Sequence, residues 1–155
     1  MHLLSIDPAN SDSAWCLIDT DTYKPISFNK CHNEHLLETI ALADYNMIVL
    51  EGVACFGMPV GKEVFETCVW IGRFMQMALS FVPIVNIVYR KDVKINLCGS
   101  MKAKDGNIRQ ALIDRFGVVG TKKEQGWFYG FHADIWSAYA VGVTYIDTIK
   151  AKNNL

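Results

Sequence analysis

Met47-Ile48-Val49-Leu50 is an unbroken apolar run that closes on a carboxylate, Glu51, and then Gly52. A strand that is apolar at every position has both faces covered, which places it inside a sheet flanked by helices. That single run commits the chain to an α/β architecture, and the neighbouring segments can be ordered around it. His2–Asp7 reads as a strand stopped by Pro8, because proline cannot continue the ladder. Residues 13–19 and 25–30 read as second and third strands separated by short polar turns, the pattern of an antiparallel meander. Asn33 fits a helix N-cap for residues 34–44, with Leu36, Leu37, Ile40 and Ala41 on one face. After a loop containing Gly57 and Gly61, a long helix is expected over 62–80. A further buried strand is expected over 84–89, then helices over 92–97 and 104–116. Residues 117–130 are Gly-rich and read as loop. A last helix over 133–149 is apolar nearly all round and therefore buried against the sheet. The order β-β-β-α-β-α-β-α-α-α gives a mixed five-stranded sheet with helices on both faces.

The chain has 155 residues, of which 51% are hydrophobic, enough for one domain with a full core. That domain is expected over 1–150, with 151–155 as a disordered tail. No basic leader with a cleavage site opens the sequence. The longest apolar tract, 69–89, is broken by Arg73, Gln76, Pro83 and Asn86, which argues against a membrane span. The five cysteines are scattered and form no C-x-x-C pair, as expected of reduced thiols in a cytoplasmic protein.

A net charge of −1 hides an asymmetry: residues 1–88 carry four basic and ten acidic side chains, residues 89–125 nine basic and four acidic. A basic segment in a near-neutral chain fits either an anionic partner such as a phosphate backbone or a solvated helical face.

Three carboxylates stand at element ends. Asp7 closes the first strand, although Asp before Pro is also a good turn former. Glu51 closes a buried strand, where a charge is costly unless it is paired or holds a metal. Asp134 opens the final helix, where the macrodipole alone would favour it. If the first and fourth strands lie side by side and the last helix crosses near their ends, the three converge. Their repulsion then calls for a hard divalent cation, Mg²⁺ or Mn²⁺ rather than zinc. Two such ions about 4 Å apart can drive phosphodiester hydrolysis.

The sequence resembles the RuvC-like Holliday junction resolvases, in particular the compact phage-encoded members, whose fold is ribonuclease H-like. The resemblance is carried by Leu4-Ser5-Ile6-Asp7-Pro8-Ala9-Asn10 with the strand Ser13-Ala14-Trp15-Cys16-Leu17-Ile18-Asp19. It continues through Ile48-Val49-Leu50-Glu51, Trp70-Ile71-Gly72-Arg73, Tyr89-Arg90-Lys91-Asp92-Val93-Lys94, Gly99-Ser100 with Lys104, and His132-Ala133-Asp134. Two departures stand out. Ala9 and Asn10 follow D-P where the family has Gly, and Asn10 tolerates positive φ, which would shift the turn by one residue. The family's fourth ligand position, three residues before the last aspartate, is Phe131. His132 is the nearest candidate, as a helper to the three acids or simply as a helix-start residue.

The resemblance implies a Mg²⁺-dependent endonuclease acting on branched DNA, with Asp7, Glu51 and Asp134 as catalytic metal ligands. It implies phosphate contacts from Lys91, Lys94, Lys102, Lys104 and Arg109. Phe56 is either a wedge that stacks on an unpaired base or ordinary core packing. The helix over 63–80 carries more apolar surface than one sheet contact needs, and the family uses the matching helix to form a C2 homodimer. RNA–DNA hybrid cleavage and a non-catalytic DNA-binding module are the alternatives. An actin-like ATPase is disfavoured by the small size and the lack of a Gly-rich phosphate loop.

Overall fold

The computed structural model describes residues 1–154, and its elements follow the expected order. They are β1 (His2–Asp7), β2 (Asp12–Asp19), β3 (Pro25–His32), α1 (Asn33–Leu42), β4 (Met47–Gly52), α2 (Lys62–Ala78), β5 (Val85–Tyr89), α3 (Arg90–Cys98), α4 (Asp105–Phe116) and α5 (Ile135–Asn153). The sheet runs β3-β2-β1-β4-β5. The first three strands form the antiparallel meander, and β4 and β5 run parallel to β1.

Strand alternation splits the core in two. Leu3 on β1, Ala14, Cys16 and Ile18 on β2 and Val49 on β4 face α5. Leu4, Ile6, Leu17, Ile48 and Leu50 face α1 and α2, where they meet Leu36, Ile40, Phe74 and Ala78. Because side chains alternate along a strand, the apolar run at β4 fills both halves at once. The helix α5 lies so close to the sheet that a Cβ on Gly142 would collide with Ile18 and meet Ser5 Oγ at 2.9 Å.

Several expectations are corrected. Asn33 is the first residue of α1 rather than its N-cap, which is His32. The Asn33 side chain is buried and ties down the β1–β2 turn instead: its Nδ2 donates to Ala9 O (2.9 Å), and its Oδ1 accepts from Ser13 Oγ (2.6 Å), which in turn accepts from Ala9 N (2.9 Å). The turn therefore does not rely on Asn10; positive φ among non-glycine residues occurs at Tyr23, Phe56 and Ala133. The strand β5 is an edge strand, and of its residues only Val88 is buried, so the second fully covered strand is β1, not β5. The close approach expected at Gly52 is made by the protein itself, since a Cβ there would lie 2.5 Å from Ile87 and 2.7 Å from Tyr89. The helix α5 continues through Asn153, where a disordered tail was expected from 151; Leu155 lies outside the described residues. The loop over 117–130 is held by packing: Phe128 and Phe131 join Trp136 and Tyr139, and Trp127 stacks on Phe116.

Candidate active site

The parallel pairing of Ile6 with Leu50 makes Asp7 and Glu51 the next residues out at one end of two adjacent strands. Asp7 shares its strand parity with Leu3, and Glu51 with Val49, so both carboxylates fall on the α5 face. On that face stands the start of α5, with Asp134 as its N-cap residue. The Asp134 side chain makes no capping bond to the backbone of α5, so capping is not what holds it at this position.

The electrostatics register this proximity. Burial, followed by the charges of Glu51 and Asp134, pushes the Asp7 carboxyl from its ordinary 3.8 up to about 8, against the opposing pull of Arg90 and Lys30. Burial also raises Glu51, with Arg90 and Lys94 counteracting and Asp105 and Asp134 adding to the rise. Three acids are thus crowded, and one of them keeps its proton near neutrality.

Two cations flank them. Lys30 Nζ, from β3, donates to Asp134 Oδ2 at 2.6 Å. Arg90, at the junction of β5 and α3, pairs with Asp105 through Nη2 and places Nη1 3.9 Å from Glu51. That Nη1 is buried and has no hydrogen-bond partner, an orphaned donor beside a raised carboxylate. A cleft of about 370 Å³ opens alongside, lined by Arg90, Asp105, Gly106, Arg109, Asp134 and Trp136.

The convergence expected from the sequence is therefore partial. Among the described residues, no three His, Cys, Asp or Glu side chains are grouped so as to hold a metal ion as they stand. Asp134 leans on Lys30, and Glu51 faces Arg90. In donor chemistry the set still suits a hard divalent ion: three carboxylate side chains, one of them raised to about 8 by burial and then by the charges of the other two.

His132 is exposed, and its Nδ1 sits 3.1 Å from Gly130 O, turned to its own loop. Phe131, at the family's fourth-ligand position, is buried against Phe28, Phe128 and Trp136. Lys91, Lys102, Lys104 and Arg109 are exposed along α3, the following turn and α4; Lys94 is half-buried and close enough to Glu51 to lower it. Arg109 does not extend freely, since its guanidinium lies 4.6 Å over the Trp136 ring. Phe56 is 71% exposed, which removes the core-packing alternative. Lys30 and Arg90 were not singled out from the sequence. Arg90 directly follows a strand parallel to the one bearing Glu51, a usable signal, whereas nothing local marks Lys30.

No family model matches the chain, and no curated protein matches it. Solved structures do. RuvC from Thermus thermophilus superposes with a TM-score of 0.74 at 13% identity, covering 97% of each chain. The same fold is that of RuvC. T. thermophilus RuvC in complex with a Holliday junction substrate aligns with a TM-score of 0.73 at 12% identity, over 98% of this chain and 96% of the other. The ribonuclease H-like architecture is thereby shared with RuvC over nearly the whole aligned length.

Proposed function

We propose that the chain is a divalent-metal-dependent endonuclease that cuts branched DNA, Holliday junctions foremost. The observation that carries this reading is the placement of Asp7, Glu51 and Asp134 at one end of the sheet, with Asp7 driven up to about 8 by burial and then by its two acidic neighbours. It is supported by a RuvC fold and by a basic surface on α3 and α4 beside that end.

Asp7, Glu51 and Asp134 would hold the ion. When bound, Mg²⁺ or Mn²⁺ supplies positive charge to the scissile phosphate and makes a water acidic enough to attack it. The remaining work falls to the chain itself. Lys91, Lys94, Lys102 and Lys104 take the phosphate backbone, which sets affinity and orientation without reading sequence. Arg109, fixed over Trp136, lines the cleft beside Asp134 and offers its guanidinium to a phosphate there. Exposed Phe56, in the loop after Glu51, is placed to stack on a base splayed at a branch point.

Two cuts on opposite strands call for two sites. On α2 the exposed positions Phe65, Val69, Gly72 and Gln76, with Leu79 just past its end, alternate by four and three residues, a stripe of heptad spacing. Phe65 and Val69 are 63% and 64% exposed. This stripe fits a second copy of the chain in a C2 dimer. No described helix is long and apolar enough to cross a membrane, and all five cysteines are free thiols, in keeping with a reducing compartment such as the cytoplasm.

The test is a cleavage panel with Mg²⁺ on four-way junctions, forks, flaps, linear duplex and RNA–DNA hybrids, using wild type, Asp7→Asn, Glu51→Gln and Asp134→Asn. Junction cutting by wild type, lost by on the order of 10²-fold or more in each variant, is expected. Equal nicking by all four proteins removes the three acids from the reaction. Cleavage of hybrid RNA with junctions intact moves the activity to hybrids.

A further inference from the structure

Arg90 opens α3, and its backbone is held on both sides. Tyr89 before it pairs with Gly52 in the parallel register of β4 and β5, and the Asp92 carboxylate accepts from Tyr89 N at 3.2 Å. From this fixed base the side chain reaches two acids in different settings: Glu51, whose side chain is 16% exposed, and Asp105, the first residue of α4, at 85%. Nη2 donates to Asp105 Oδ1, while Nη1 stops 3.9 Å from Glu51 Oε2, too far for a hydrogen bond.

We propose that Arg90 is a positioning residue, a strut through which the first turn of α4 holds Glu51 in place. This role rests on the nuclease reading and adds to it a side chain that acts through Glu51.

The guanidinium is planar and rigid, so the bond at Nη2 fixes where Nη1 points. Nη1 is buried without a hydrogen-bond partner, and Nη2 is taken by Asp105, so these donors are not free to grip a phosphate as the exposed Lys91, Lys102 and Lys104 are. A buried charged donor left unbonded is costly, and the Glu51 carboxylate is where its charge is answered. Asp105 is otherwise out of place. It is an exposed acid among Lys102, Lys104 and Arg109, where it repels a phosphate backbone. The strut gives that acid a use, and it sets the sign of the test.

The experiment compares wild type, Asp105→Asn, Arg90→Met and the double variant by junction affinity without metal, by single-turnover cleavage with Mg²⁺ and by thermal melting. If Asp105 were only a surface charge, its removal would tighten binding and leave cutting unchanged or faster. The strut requires the opposite split: Asp105→Asn binds no more weakly than wild type and melts like it, yet cuts more slowly. Arg90→Met should also bind the junction and cut on the order of 10²-fold more slowly. Adding Asp105→Asn to Arg90→Met should cost nothing further, because the outer end of the strut has nothing left to hold. Should Arg90→Met fail to fold, Arg90→Lys completes the cycle, since one ammonium does not present the two-ended fork. Asp105→Asn cutting at the wild-type rate or faster, equal slowing by Asp105→Asn with and without Arg90, or a loss of affinity alone in the Arg90 variant overturns the strut while junction cleavage stands. No cutting by wild type overturns both.

Discussion

Ile6 and Leu50 pair in parallel register on β1 and β4, so the two strands deliver Asp7 and Glu51 side by side on the face that α5 covers. Few arrangements of acidic residues are less comfortable without a cation. The cost appears on Asp7, whose carboxyl is raised to about 8 by burial and by the charges of Glu51 and Asp134.

That shift has a stability consequence of definite sign. The folded chain keeps the Asp7 proton up to about pH 8, whereas the unfolded chain releases it near 3.8. The contribution of this group to stability is therefore full below pH ~4 and is lost as pH rises through about 8. Asn at this position carries no such charge. Urea melts of metal-free protein at pH 5, 7 and 9 should show Asp7→Asn gaining on wild type as pH rises, with the largest gap at pH 9. Saturating Mn²⁺ should narrow that gap by stabilising the ionised wild-type carboxylate. A variant no more stable than wild type at pH 9 would contradict the raised carboxyl.

Opposite behaviour is expected at Asp147 on α5. Burial alone would raise this carboxyl, but hydrogen bonds from Arg115, Asn96 and Tyr23 outweigh it and bring it below its ordinary value. Arg115 donates through both Nη1 (2.8 Å) and Nη2 (2.9 Å), so α4 and α5 are clamped by a bidentate pair. The stability this pair contributes is present above pH ~4 and is lost as pH falls through the depressed value. Asp147→Asn should cost roughly 1–3 kcal/mol at pH 7, at the lower end because Arg115 is partly exposed. Urea melts at pH 7 and pH 3 check this: the gap between wild type and variant should shrink at pH 3.

Gly142 is fixed by contact rather than by backbone conformation. A methyl group there meets Ile18 and Ser5, both on strands at the centre of the sheet and both fully buried. Ser5 Cβ is fixed to β1, and the Ile18 methyl has to turn within a fully buried core, so Gly142→Ala should destabilise by about 1–3 kcal/mol despite its better helix propensity. A thermal melt at or above wild type would show that α5 can lift off the sheet at little cost.

The fold was legible because its signals are local. The apolar run at β4 and the strand endings at Pro8 and Gly52 each state an element without reference to the rest. The site was legible only in part. Asp7 and Glu51 share a strand register, which the order of elements already implies, while Asp134 reaches them only because α5 begins where those strands end. Lys30 and Asp134 are 104 residues apart, and nothing near Lys30 in the sequence announces a partner. Asn33 misled for a related reason: its composition fits a cap, but the competing acceptor and donor, Ala9 and Ser13, come from a turn more than 19 residues away. The burial expected of β5 failed because an apolar run does not say whether another strand will cover its free edge.

Phe56 gives the most direct separation of fold from function. Its backbone sits at φ +48, its ring is 71% exposed, and Lys91 Nζ lies 5.8 Å from the ring centre. A large aromatic held out in solvent beside a cation contributes little to folding, so Phe56→Ala should change stability by no more than about 0.5 kcal/mol. If the ring stacks on a base at a branch point, the same variant should weaken junction binding by about 1–3 kcal/mol, tenfold or more in the middle of that range. Linear duplex, which offers no unpaired base, should bind Phe56→Ala and wild type alike. Binding titrations with both DNAs at one fixed salt concentration make the comparison, since phosphate contacts from the lysines scale with salt for either substrate. A uniform loss on both would make Phe56 a packing partner of Lys91 on the phosphate surface, and a loss confined to the junction would make it the residue that recognises the branch.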